Sequence, residues 1–139
     1  IISFIMYPSE MITINGLLHI INSLIFTITA LSLSFFIGNI ATKNSVYAIC
    51  NCVALGSCFL GGAFVPQEML SSAVVKLSMI NPVYWYVHVN DTISSMSKFN
   101  FTTLKPVLFE FMILTAFALT FLSIGLVTIK QKNLTASND

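Results

Sequence analysis

Three polar side chains near the start of the first long apolar stretch are the residues best placed to do chemistry in this sequence. Asn15, His19 and Asn22 are four and three residues apart, so a helix carries them on one face. Such groups are costly inside a membrane unless they face protein or water. The stripe predicts either a polar patch on a translocation path or hydrogen bonds between helices. We favour the second, because such bonds commonly join membrane helices.

The cysteines and carboxylates offer little catalytic chemistry. Cys50, Cys52 and Cys58 have no metal-ligand spacing and no histidine nearby, so we interpret them as small buried apolar residues. The sequence contains no paired carboxylates on an apolar helix, no zinc-protease motif and no phosphate-binding loop. We therefore expect no catalytic residue, no metal site and no cofactor, and we do not expect an enzyme.

Glu110 lies about one turn inside the last apolar stretch. Its side chain either extends toward the membrane surface or pairs with Lys105 or Lys76 in a solvated cleft, and the sequence leaves both open.

The composition is that of a membrane protein. Of the 139 residues, 56% are hydrophobic and 8% are charged, whereas a soluble surface needs about 25–35% charged residues. The net charge of +1 and the lack of arginine argue against nucleic acid as a partner. Because the sequence begins with Ile1 rather than Met, we expect it to be a piece of a longer protein.

Three long uncharged segments predict three membrane-spanning helices, since about 20 apolar residues cross a bilayer. We expect one all-α transmembrane domain over residues 1–139, with spans at residues 17–40, 45–64 and 106–129. The short link of Thr42, Lys43 and Asn44 makes the first two spans antiparallel neighbours.

Small residues and a proline mark the end of the second predicted span. Ser57, Gly61 and Gly62 allow close approach between helices. Glycines also loosen a last helical turn, and Pro66 has no backbone N–H to continue it. We therefore expect the helix to end here and the chain to turn back.

The segment of residues 67–97 is too polar to cross a membrane and too apolar for a free loop. Its first part predicts an amphipathic helix whose apolar face contains Met69, Leu70, Ala73, Val74 and Leu77. Asn81 and Pro82 break that helix. Tyr84, Trp85 and Tyr86 then favour the membrane–water boundary. We interpret the segment as two short re-entrant or interfacial helices, with a soluble lid as the alternative.

Two runs of residues carry a family resemblance. Residues 61–68 read Gly-Gly-Ala-Phe-Val-Pro-Gln-Glu and are followed by Leu70, and residues 77–85 read Leu-Ser-Met-Ile-Asn-Pro-Val-Tyr-Trp. They resemble the permease subunit of type-2 ABC transporters. In that family a span ends in a Gly-Gly-x-Phe-x-Pro-like run, and short re-entrant helices with an Asn-Pro-x-Tyr-like break follow on the outer face. The resemblance extends over residues 17–132.

The resemblance implies the C-terminal half of a six-span subunit. Such a subunit pairs with a second permease half, and cytoplasmic ATP-binding subunits drive the export of lipids, glycans, antibiotics, peptides or ions. It implies a pathway near the polar stripe and the small residues. It also implies a secondary cytoplasmic contact at Thr42, Lys43 and Asn44. The helix break and outer gate would consist of Pro66, Leu70, Leu77, Asn81, Pro82, Tyr84 and Trp85.

The orientation follows from the short link and the family pattern, since the lysines on the two sides are equal in number. We expect Lys43 and Lys132 in the cytoplasm, and Lys76 and Lys98 outside. The chain is then a multi-pass protein of a cell membrane, with the bacterial plasma membrane as the expected location. The alternative is a small structural or accessory membrane protein without transport activity.

Overall fold

The computed structural model describes residues 13–96 and 101–136, and in these residues it contains five α-helices, one short 3₁₀ helix and no strand. The 3₁₀ helix covers Gln67–Met69. The all-α class predicted from the sequence is confirmed for this part of the chain. Residue 97, at the end of the predicted re-entrant segment, and Lys98 lie outside it. The α-helices are α1 (Ile14–Ile40), α2 (Val46–Leu60), α3 (Ser72–Ser78), α4 (Pro82–Ser95) and α5 (Phe101–Ala136).

Two helices, α1 and α5, are long and apolar enough to cross a membrane. α1 has 27 residues, and the apolar part of α5 covers Thr103–Leu134 with 32 residues. At 1.5 Å per residue both exceed the roughly 30 Å of a bilayer's hydrocarbon core. The spans predicted at residues 17–40 and 106–129 lie inside these helices. α5 begins before Pro106, which therefore lies inside the helix.

The remaining predicted span, at residues 45–64, is longer than the helix that the structure contains there. α2 has 15 residues, or about 22 Å, which is short of the hydrocarbon thickness. It ends because Gly61 forms its C-cap and Gly62 follows with a φ of +89°, a conformation that leaves the helix. The described residues therefore contain two helices of spanning length, where the sequence predicts three.

α1 and α5 run parallel, because their contacts advance together along both helices. The Thr29 hydroxyl donates a hydrogen bond to the carbonyl of Leu114 at 3.1 Å. Further along, Gly125 packs so closely on Phe35 that a Cβ added there would lie 2.7 Å from its ring. At the end of the pair, the Lys132 ammonium donates to the carbonyl of Asn39. The C-terminal ends of the two long helices thus lie on the same side.

α2 and α4 lie end to end, and α4 packs on α1. The Asn81 amide at the start of α4 donates to the carbonyl of Ser57 in the last turn of α2, at 2.6 Å. α4 then runs along the N-terminal half of α1, where the ring of Tyr86 stacks on Phe26 at 4.4 Å between centroids. With 15 and 14 residues, the two short helices together match the length of α1.

Polar residues lie inside this bundle and apolar residues cover it. A small apolar core joins α1, α4 and α5 through Leu18, Val89, Ile93, Val107 and Phe111. By contrast, only 22% of the most apolar window of α1 and 17% of that of α5 are buried. A soluble core helix would be mostly covered, so these faces require lipid or further protein around them. The buried polar residues are Asn22, Thr29, Ser32, Ser78 and Glu110.

The amphipathic helix predicted after Pro66 is divided into two pieces. Leu70 and Ser71 are extended, with ψ angles of 143° and 152°, so they separate the 3₁₀ turn from α3. The predicted apolar face is consequently incomplete: Met69 is 77% exposed and Leu77 is 57% exposed. The prediction of two short helices before α5 is matched by α3 and α4.

Candidate functional site

The polar stripe of α1 contacts α4 in the first part of the site. His19 Nδ1 lies 2.9 Å from the side-chain oxygen of Asn90. Asn22 is fully buried, and its amide donates to the same Asn90 oxygen and to the carbonyl of Tyr86, both at 3.0 Å. The side-chain oxygens of Asn22 and of the third stripe residue, Asn15, are buried without a partner among the described residues. Hydrogen bonds therefore join the stripe to α4.

The Gly61–Gly62 turn is held by the side chain of Gln67. Its amide donates to the carbonyls of Gly61 and Tyr84, each at 3.1 Å, and so connects the end of α2 to the start of α4. Gly62 has a positive φ, and a Cβ on it would lie 2.5 Å from Cγ of Gln67. Gly61 instead faces Val83, whose Cβ lies 2.6 Å from the position of an added Cβ. The two adjacent glycines thus serve different purposes, a turn and a close contact.

Asn81 bonds both to Ser57 in α2 and to the first turn of α4. Its side-chain oxygen accepts a hydrogen bond from the backbone N–H of Val83 at 3.0 Å, which caps the helix, and Pro82 occupies the first position. Trp85 donates from its indole to the carbonyl of Met79 at 2.8 Å and fixes the turn before α4.

A contact between α4 and α5 pairs Glu110 with His88. Glu110 is 5% exposed, and its Oε1 lies 2.9 Å from His88 Nδ1. The sequence suggests Lys105 or Lys76 as the partner of Glu110, whereas the structure pairs it with His88. Twenty-two residues separate the pair, so no local spacing signals it. His88 also stacks on the ring of Tyr84, with 5.7 Å between centroids.

The pair changes the protonation equilibria of two side chains on α4, His88 and Tyr84. The hydrogen bond to Glu110 raises the pKa of His88, and burial of part of the ring opposes the shift without cancelling it. Burial raises the pKa of Tyr84, and the charge of Glu110 adds to this effect. Tyr84 therefore stays neutral at physiological pH, and the pKa of His88 lies above its ordinary value.

An apolar cavity of about 170 Å³ lies between α1, α2 and the start of α4. Ser57, Cys50 and Cys58 contribute to it, so the small residues of α2 line a space instead of a tight helix contact. The interpretation of the three unpaired cysteines as buried residues is wrong, because Cys52 is exposed and Cys50 and Cys58 are only partly buried. On the α1 side, the cavity is lined by residues between Phe26 and Ile37.

The remaining predicted residues lie at the ends of short elements. Pro66 accepts from the N–H of Met69 at 2.9 Å, which forms the 3₁₀ turn. Leu70 is half-buried, and Leu77 lines a cleft with Leu33 and Phe121, beside the second half of α1. In the link between α1 and α2, the hydroxyls of Thr42 and Ser45 bond to each other at 2.7 Å. Lys43 and Asn44 in the same link are exposed.

Residues 13–96 and 101–136 contain no group of three or more His, Cys, Asp or Glu side chains placed to hold a metal ion. Comparison of the chain with family models, curated proteins and solved structures finds no match.

Proposed function

We propose that the chain is part of the membrane-spanning permease of an ATP-driven exporter, with the architecture of the C-terminal half of a type-2 ABC permease. The observation that supports this most is the meeting of the two sequence runs that carry the resemblance. Gln67 in the first run bonds the carbonyl of Tyr84 in the second, and Gly61 packs on Val83. The two runs are separated in sequence, yet they meet in one junction between the end of α2 and the start of α4. Such a meeting is expected if both runs belong to one structural motif.

The proposal places the junction beside the translocation pathway. The polar stripe, α4 and the cavity next to Ser57 would belong to one half of that pathway. A second permease half, identical or not, would supply the other half. The exposed apolar faces of α1 and α5 would contact that partner and the lipid bilayer.

The proposal also orients the chain in a cell membrane. The link with Thr42, Lys43 and Asn44 lies at the same end of the bundle as Lys132, and this end would face the cytoplasm and the ATP-binding subunit. α2 would rise from that side, and α3 and α4 would form the re-entrant segment. The end of α4 would reach the outer side, where α5 begins.

The test reconstitutes the complete permease with its ATP-binding subunit in proteoliposomes. We expect faster ATP hydrolysis than by the ATP-binding subunit alone. We also expect a cysteine at Lys43, in a chain whose native cysteines are replaced by serine, to cross-link to that subunit. A cysteine at Ser94, near the other end of α4, is the matched control and should not cross-link.

The alternative, an accessory membrane protein, predicts a different outcome. Neither stimulated hydrolysis nor a cross-link from position 43 would then be observed. That result would reject the permease assignment.

A further inference from the structure

The contact between His88 and Glu110 leaves part of a buried carboxylate without a partner. Oε1 of Glu110 faces His88, whereas Oε2 is buried with no hydrogen-bond partner among the described residues. An ionised carboxylate is an acceptor at both oxygens, and burying it with one oxygen unpaired is costly. The site therefore favours a ligand that neutralises the negative charge of Glu110.

The His88 ring connects this buried carboxylate to the surroundings of the bundle. Its side chain is 43% exposed, against 7% for that of Glu110. Since Nδ1 faces Glu110, Nε2 is the ring nitrogen that takes up the proton. Uptake converts the neutral imidazole into an imidazolium, and the pair changes from net negative to neutral without breaking any other bond.

We propose that His88 and Glu110 together form a proton-binding site at the contact between α4 and α5, with His88 Nε2 as the atom that takes up the proton. The groups that face it support this assignment. Asp91 on α4 adds negative charge, and Tyr84 contributes a neutral ring. On α1, the titratable residue His19 is directed to Asn90 and not to this pair.

Proton binding should strengthen the contact between α4 and α5. Because the folded protein raises the pKa of His88 above the ordinary value of 6.5, the contribution to stability is fully present below pH 6.5. It is lost as the pH rises through the raised pKa, when the pair becomes negative again. The contact of α4 with α5 is therefore expected to loosen above the raised pKa of His88.

The test is a pH titration of the full chain in lipid nanodiscs, followed by NMR of histidine labelled with ¹³C at Cε1. The chain has two histidines, so a His19→Gln variant assigns the His88 signal. We expect His88 to titrate above pH 6.5 in the wild type and at a lower pH in Glu110→Gln. Asp91→Asn is the matched control, because it removes a carboxylate on α4 that makes the smallest contribution, and it should shift the midpoint less.

A second readout uses the single tryptophan, Trp85, which lies on α4. Its emission should change with the same midpoint as His88, and His88→Gln should abolish that change. A wild-type His88 that titrates at or below pH 6.5 would overturn the proposal, whether or not the variants fold. An unchanged midpoint in a folded Glu110→Gln variant would overturn it as well.

Discussion

Replacing Gly61 by alanine is expected to destabilise the junction between α2 and α4 by about 1–3 kcal/mol, the usual cost of adding a methyl group to a full contact. The added Cβ would lie 2.6 Å from both Cβ and Cγ1 of Val83, and 2.8 Å from the carbonyl oxygen of Ser57. Val83 is buried in the first turn of α4, so relief requires the two helices to separate. Unfolding by heat or by added SDS, followed by the emission of Trp85, measures the loss.

Gly56 provides the matched control, because it lies on the same helix and an added Cβ there meets nothing within 4 Å. Gly56→Ala should leave stability unchanged or raise it by up to about 1 kcal/mol, since alanine is the better helix former. Equal stability of Gly61→Ala and Gly56→Ala would show that α2 and α4 do not meet as described.

Replacing Asn22 by alanine is expected to release α4 from α1. The change removes the two hydrogen bonds that the Asn22 amide donates to Tyr86 and Asn90, and it leaves a space at a fully buried position. Each hydrogen bond lost contributes about 0.5–1.5 kcal/mol, although the Asn90 oxygen keeps its contact with His19. Hydrogen exchange of the backbone amides of α4, measured in nanodiscs, should accelerate strongly, whereas that of the C-terminal half of α5 should change little.

Asn51 supplies the control for this experiment, because it is an asparagine in the middle of α2 with an exposed side chain. Asn51→Ala should leave the exchange of α4 unaltered. If Asn22→Ala also leaves the exchange of α4 unaltered, the polar stripe of α1 does not hold α4 in place.

The positions of the long helices could be predicted from the sequence because they depend on local composition. Uncharged runs of sufficient length predict α1 and α5, and the position of Asn81 before Pro82 predicts the start of α4. The end of α2 is harder to predict from the sequence. The glycines predict a break near it, but the early stop at Leu60 depends on the backbone of Gly62 and on its contact with Gln67.

The contacts of the candidate site could not be predicted, because they join residues distant in sequence. Glu110 has lysines nearby in the sequence, yet its partner is His88 on another helix. No spacing in the sequence links Asn90 to the polar stripe. Its contacts with His19 and Asn22 follow only from the packing of α4 on α1. Gln67 belongs to the sequence run of residues 61–68. Its two hydrogen bonds across the junction, however, depend on how α2 and α4 meet.

In the proposed arrangement, α1 and α5 cross the membrane in the same direction, and α2 and α4 return the chain between them. Single cysteines at Lys43, Ser94 and Lys132, in a chain whose native cysteines are replaced by serine, test this claim with a membrane-impermeant thiol reagent in intact cells. We expect position 94 to be labelled in intact cells, and positions 43 and 132 to be labelled only after the cells are opened. Labelling of positions 43 and 94 from the same side, or of positions 43 and 132 from opposite sides, would contradict it.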